Sequence, residues 1–421
     1  MVPHGRILIV LTVFFLLAAV TGGFFVLKDK ERTVDVLPAV EEASLRTSDV
    51  RSEGGQTTTT TTTQAQKPMG EIKGKLQEIA KKTEELAAEV KILKELEEAQ
   101  EKSSHVKGIY VGTAANPSYF KNLLDNTELN AVVIDVKEAS GPIAYRHLRE
   151  LIDDLHQRDA WVIARIVVFR DSSQVQNHPE WYLQTATSTA TSSDPWQDSS
   201  GQYWLDPKSE EVYDYLLDFS KQVIDYGFDE LQLDYIRYPD DYPVTVERIQ
   251  NIGNFFEKIS KDLKGYKASL ILSADLFGYV ATQFNSFGTG QRLVDAGKHF
   301  DYLSFMLYPS HFYGGFEMGK DEKRELPSLK YSYPEVIEHP YQVVLRSVLS
   351  AQDYLSWFDY NVKIRPWLQD FDLKADKERG VIYDAEKVRL QIQAAVDAGA
   401  SGWLLWNPSY VYTKEALAPS Q

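Results

Sequence analysis

From Lys107 to the C-terminus, short strand-like runs alternate with amphipathic helical stretches, and this alternation most narrows what the chain can become. The strand-like runs are 107–112, 131–138, 160–169, 230–238, 269–276, 301–308, 362–369 and 402–407. Helical patterns lie between them, for example Glu210 to Tyr226, Val244 to Lys264, Tyr341 to Phe358 and Asp384 to Ala398. Eight strands with intervening helices predict an α/β fold of the (β/α)8 TIM-barrel type rather than an open sheet. A dinucleotide fold gains little support, because no Gly-x-Gly-x-x-Gly follows the first strand. Two connections are long, about 170–208 and 309–340, and both would emerge on the C-terminal face, where barrels build their sites.

The polar parity of each strand selects an inward set. It comprises Asp135 and Lys137, Arg165, Gln232 and Asp234, Ser273 and Asp275, Ser304, Met306 and Tyr308, and Arg365, Trp367 and Gln369. The opposite parities, such as Leu231/Leu233 and Leu303/Phe305/Leu307, are apolar and suit the layer facing the helices. Charges inside a barrel are costly unless paired. Asp135, Lys137 and Arg165 on adjacent strands could therefore neutralise one another as a purely structural network. Asp234 and Asp275 sit at C-terminal strand ends, beside aromatic residues that could raise a carboxyl pKa, and they are the first candidates for chemistry. Glu138 ends the second strand on the parity opposite to Asp135, and either swings into the mouth or is simply solvated. Asp370 has the helix-facing parity and ranks below Asp275. His311 stands on the loop after the sixth strand, where it could orient a substrate.

The first hundred residues differ in kind. Ile7 to Leu27 is an apolar run of bilayer-spanning length, with Arg6 before it and Lys28-Asp29-Lys30-Glu31-Arg32 after it. Small residues at Leu17-Ala18-Ala19-Val20-Thr21-Gly22 admit a secretory signal, but the run continues to Leu27, which favours an uncleaved anchor over residues 1–32. The surplus of Lys and Arg after the span argues weakly against export. Large domains translocate largely regardless of that bias, and the following polar linker suits the outside, so the expectation is a single-pass membrane protein with an extracytoplasmic barrel. Residues 33–69, with a threonine tract from Thr57 to Thr63, read as a flexible linker. Over 70–103, Ile72, Leu76, Ile79, Thr83, Leu86, Val90 and Leu93 recur at alternating spacings of four and three. That pattern is either a helix packing on its own domain or a short coiled coil that would join copies of the chain through 72–93.

Residues 104–421 then form the barrel domain. The chain has no cysteine, which removes disulfides, thiolate nucleophiles and Cys-ligated metals together. A formal charge of −16 argues against nucleic acid as a partner. The eight histidines show no metal-ligand spacing, so no metal and no cofactor is expected. Aromatic residues make up 12% of the chain, and Trp181, Tyr182, Trp196, Tyr203 and Trp204 crowd the first long connection. Such rings either anchor loops or stack on the C–H faces of sugars.

Carboxylates at a barrel mouth with aromatic walls suit glycoside hydrolysis. One carboxyl group protonates the leaving oxygen while a second attacks the anomeric carbon or activates water, the two lying about 5–10 Å apart. Asp234 would be the nucleophile or base and Asp275 the acid, with Glu138 its rival. Asp135, Lys137, Arg165, Arg237, Tyr308, His311, Trp367 and Trp406 would bind the substrate, a polysaccharide.

Five segments carry a resemblance: Val133-Ile134-Asp135-Val136-Lys137, Ala164–Asp171, Leu231–Pro239, Ser273–Tyr279 and Met306–His311. Across about 107–410 the chain resembles the bacterial "putative glycoside hydrolase" TIM-barrel domains, most specifically in Asp-Tyr-Ile-Arg-Tyr-Pro and Tyr-Pro-Ser-His. The resemblance implies a TIM barrel and polysaccharide chemistry. The chain departs from it at Phe305, where the family tends to have proline, and at Glu138, where aspartate is common. Two other functions compete with an envelope or extracellular glycosidase: a non-catalytic carbohydrate-binding barrel, and a stalked assembly scaffold.

Overall fold

The computed structural model describes residues 66–185, 194–242, 245–284 and 288–419. Ile7–Leu27 and most of the linker lie outside the described residues, and no described helix is long and apolar enough to cross a membrane. The chain divides into two units, one up to Leu93 and one from Lys94 onward.

The second unit is a closed barrel of parallel strands: β1 (Lys107–Val111), β2 (Ala131–Glu138), β3 (Trp161–Val167), β4 (Glu230–Asp234), β5 (Ile271–Phe277), β6 (Tyr302–Leu307), β7 in two pieces (Lys363–Ile364 and Trp367–Gln369) and β8 (Trp403–Trp406). Each strand pairs with the next in sequence, and β8 returns to β1 through Lys107↔Trp403. Closure leaves little room at the last seam. Gly402 holds a φ of +91°, and a β-carbon there would collide with the Val106 carbonyl oxygen. Outside run α1 (Pro117–Asn126), α2 (Leu148–His156), α3 (Glu210–Asp225), α4 (Val246–Tyr266), α5 (Leu293–His299), α6 (Pro340–Leu355) and α7 (Ala385–Asp397). Asn116, Ser209 and Asp384 cap α1, α3 and α7 by accepting backbone N–H bonds with their side chains. The helices bury their apolar stripes against the outward parity of the strands, for example Ile252, Phe256 and Ile259 of α4 in one core with Leu231 and Leu272.

The expected strand positions hold, but β4 ends earlier than its apolar alternation suggests. Tyr235 adopts a left-handed φ of +54°, which turns the backbone out of the sheet directly after Asp234. The long third connection packs on itself, with Tyr182 and Trp204 buried, so its aromatics are loop anchors.

The barrel is plugged at its amino end. A helix over Gln66–Ser103 precedes β1, and in its part belonging to the barrel unit Leu96 and Ala99 pack on the lower core. The Ser103 hydroxyl meets the Tyr302 hydroxyl at 2.9 Å, and Arg365 donates to the Ser103 carbonyl at 3.4 Å. Arg365 also pairs with Glu230; both are fully buried. Glu230 accepts further bonds from Ser273 and from the Trp161 indole, the latter at 3.0 Å. Glu230 shares the inward parity of Gln232 and Asp234, yet its chemistry is purely structural. In the other unit the helix stands with Leu76 and Ile79 about 60% exposed, and Leu86 and Leu93 are exposed too.

Replacing Glu230 by Gln leaves the Arg365 cation buried without its counter-charge. We expect a loss of about 3–5 kcal/mol in unfolding free energy, measured by urea denaturation followed through tryptophan fluorescence.

Candidate active site

At the carboxyl end of the strands one guanidinium organises the interior. Arg165 of β3 donates to Asp135 Oδ1 at 2.6 Å and to Asp234 Oδ2 through both Nε, at 3.1 Å, and Nη2. Its Nε also lies 3.4 Å from Asp275 Oδ2. The strand register makes this convergence possible: Asp135 pairs with Arg165 across β2–β3, and Leu233↔Ala274 places Asp234 next to Asp275 across β4–β5. Tyr110 of β1 donates to Asp135 at 2.6 Å, and the Trp367 indole donates to Asp275 Oδ1 at 2.8 Å. Asp234 Oδ1 accepts the Tyr235 backbone N–H at 2.5 Å, a contact that the left-handed turn creates.

The electrostatics separate the carboxyl groups. Burial is the largest influence on Arg165 and disfavours its charge, but Asp135, Asp234 and Asp275 together hold its pKa well above the usual value. Burial and then the adjacent Asp234 push Asp275 well above the carboxylate range, against the opposing pull of Arg165 and the Trp367 hydrogen bond. Asp275 Oδ2 has no hydrogen-bond partner, and the Arg165 Nε 3.4 Å away is the cation beside it. Tyr308, buried at the end of β6, is likewise raised by burial and by Asp275 and Asp234.

Glu138 reaches this cluster through an irregularity. The β2–β3 register slips between Asp135 and Lys137, so Val136 is an extra residue in β2. Beyond the slip, Lys137 pairs with the outward-facing Ile166 rather than with an inward residue. The expected inward direction of Lys137 is thereby corrected. It is fully buried, paired with Asp171 at 2.8 Å, and donates to the Val167 and Val168 carbonyls at 2.6 and 3.3 Å. Burial lowers its pKa, opposed by Asp171. The same slip gives Glu138 the inward parity. Glu138 is half-buried, and its pKa is raised by burial and by Asp135, with Arg165 pulling the other way.

The remaining predicted residues divide between floor, rim and periphery. Asp135, Asp234 and Arg165 keep a few per cent of their surface open, whereas Asp275 and Trp367 are fully enclosed. Trp406 is half-buried and stacks on Tyr110 at 4.0 Å; Arg165 sits 5.3 Å from its ring. Arg237 is half-buried within an aromatic cage of Trp204, Tyr235 and Phe277, 4.4–5.0 Å from each ring, and pairs with Asp240 at 2.8 Å. It sits to one side of the Arg165 cluster. His311 is exposed, edge-on to Tyr308 and beside Phe371. Tyr110 and Tyr145, which donates to the Asp135 carbonyl at 2.7 Å, were not expected. For Tyr110 the signal was there, in the alternation of β1. For Tyr145, on the loop after β2, there was none. Among the described residues no group of histidines and carboxylates has metal-binding geometry.

A closed (β/α)8 barrel with a cluster of carboxyl groups at its carboxyl end, rimmed by aromatic rings, fits a glycoside-hydrolase-like domain. The chain belongs to the family described as "Putative glycosyl hydrolase domain", whose profile matches residues 105–412. A comparison with curated proteins gives no match. Among solved structures, a hypothetical protein from Ruminiclostridium thermocellum aligns at 25% identity and a TM-score of 0.35, over 40% of this chain and 96% of that one. The α-galactosidase TtGalA from Thermus thermophilus aligns at 18% and 0.44, over 74% of this chain and 63% of its own, so this chain spans less than two thirds of that enzyme. The spore cortex-lytic enzyme SleL of Bacillus megaterium aligns at 12% and 0.43, over 74% and 72%.

Asp370, at the end of β7, points away from the opening and accepts the Thr413 N–H at 2.9 Å and hydroxyl at 2.6 Å. Burial raises its pKa to about 6. The folded state therefore binds this proton more tightly than the unfolded chain, and stability falls as pH rises from about 4 to about 6, by about 3 kcal/mol in all. Asp370→Asn should remove that fall, which urea unfolding of both chains at pH 4.5 and pH 7 will test.

Proposed function

We propose that the barrel is a glycosidase acting on an envelope or extracellular polysaccharide. In this reading Asp234 attacks the anomeric carbon or activates water, and Glu138 protonates the leaving oxygen. The observation that carries it is the slip at Val136, which sets Glu138, with its raised pKa, on the same side of β2 as the Arg165 cluster. Asp234 accepts three hydrogen bonds, two from Arg165 and one from Tyr235, the acceptor pattern of a carboxylate. Two carboxyl groups held in different protonation states are what acid–base glycoside cleavage requires. Asp275 is a weaker candidate for the acid, because it is fully buried and its Oδ1 is held by the Trp367 indole; it positions Arg165, whose Nε lies 3.4 Å from its Oδ2. Trp406 and Phe371, half-buried at the rim, would stack on sugar rings.

The run Ile7–Leu27 would anchor the chain in a membrane with the barrel on the outer side, and the exposed seam of the helix would join two copies. In a parallel pair, Glu89 of one copy would face Lys94 of the other.

Full-length protein and its Asp234→Asn variant, assayed for reducing ends released from a panel of envelope and extracellular polysaccharides, test the central claim. We expect release by the wild type and none by the folded variant; equal release by both would remove Asp234 from the mechanism. Glu138→Gln should slow polysaccharide cleavage by about 10²–10⁴-fold while sparing aryl glycosides whose leaving group departs without a proton. It should also abolish the alkaline limb of the pH profile, where activity falls as Glu138 ionises. Leu86→Glu should convert a dimer to a monomer in analytical ultracentrifugation, and an unchanged mass would dismiss the seam.

A further inference from the structure

On the flank of the barrel, away from the Arg165 cluster, the excursion after β6 and helix α6 border a hollow of about 440 Å³. One wall is aromatic. Phe284 and Tyr354 stack with ring centroids 4.0 Å apart, and Trp357 continues the series 5.7 Å from Tyr354. Trp357 is 77% exposed, an indole left open to water in the turn after α6. Burying a large side chain of this kind is worth about 1.5–3 kcal/mol, and the fold leaves that gain unused. The lining is otherwise polar and charge-balanced, with three basic and three acidic side chains. Several are already paired: Lys320 with Glu322 at 2.9 Å and Lys323 with Asp353 at 3.8 Å.

An open indole face beside a neutral field of donors and acceptors matches an uncharged sugar. Its C–H face would cover the ring while its hydroxyls bond to the paired ions. A polyanion would meet Glu322 and Asp353. An apolar peptide would strip water from four ionised groups and offer them nothing in return.

We propose that this hollow is a second carbohydrate site, which holds a neutral polysaccharide chain while the barrel mouth acts on it. The inference rests on the polysaccharide reading above, and its test is a binding measurement that needs no turnover. Full-length protein carrying Asp234→Asn is run in native gels containing soluble starch, dextran, mixed-linkage β-glucan or galactomannan, with alginate and polygalacturonate as anionic counterparts. The expected result is retardation by at least one neutral polymer, about tenfold weaker after Trp357→Ala, a loss of about 1.4 kcal/mol. Trp357→Phe should retain most of it. Retardation that survives Trp357→Ala, that appears only with the anionic polymers, or that is absent throughout overturns the proposal. With Asp234 intact, Trp357→Ala should leave release from a short aryl glycoside unchanged, and a fall in that rate would show that the hollow is not a separate site. Trp357-dependent retardation without reducing-end release from any chain would refute the glycosidase and leave the binding site standing.

Discussion

The upper barrel depends on how one buried guanidinium is shared. Arg165 meets Asp135, Asp234 and Asp275 in a space with little water, where each uncompensated ion costs several kcal/mol. One positive charge cannot balance three negative ones, so the cluster is tolerable only if a carboxyl group gives up its charge. Asp275 is the most enclosed of them, and burial with the adjacent Asp234 pushes its pKa well above the carboxylate range. Tyr110 and Trp367 supply the hydrogen bonds that keep Asp135 and Asp275 in place, and Trp406 and Tyr110 offer ring faces to the cation. A floor of fixed charge under an aromatic rim results from the same contacts that keep the barrel interior satisfied.

Two departures from regular backbone turn that floor into something with chemical direction. The extra residue at Val136 sends Lys137 outward to Asp171, where it ties β2 to the carbonyls of β3 and to the loop beyond. It brings Glu138 inward by the same displacement, because strand side chains alternate and one added residue inverts every face after it. The left-handed Tyr235 ends β4 at Asp234 and aims its own N–H back at that carboxylate. A left-handed backbone at a residue other than glycine costs about 1–3 kcal/mol and survives where surrounding contacts over-determine it; here the Arg165 bonds to Asp234 do so.

The two ends of the barrel use the same ingredients differently. At the amino end Glu230 and Arg365 are as deeply buried as Asp275, but Trp161, Ser273 and the Ser103 carbonyl enclose them and the preceding helix covers them. The half-buried acids nearest to them, Asp229 and Asp301, are tied to His156 at 3.0 Å and to Lys264 at 2.6 Å. At the carboxyl end Glu138, Phe371 and Trp406 remain half-buried around the cluster. Position along the strand, rather than residue type, separates a structural ion pair from a candidate site.

Periodicity alone determined the strand and helix alternation, the barrel class and the inward parity of Asp135, Arg165, Asp234, Asp275 and Trp367, because side-chain direction in a strand follows from counting by two. It also placed the apolar run Ile7–Leu27 and the heptad seam, both of which are matters of local composition. Tertiary structure alone decided that Glu138 and Lys137 exchange faces, since a bulge is set by the partner strand and leaves no mark in the alternation of its own. The pairing of Glu230 with Arg365, 135 residues apart, and the upward shift of the Asp275 pKa likewise arise only when strands close on one another. A carboxyl group's charge depends on what surrounds it in space, and no window of sequence contains those surroundings.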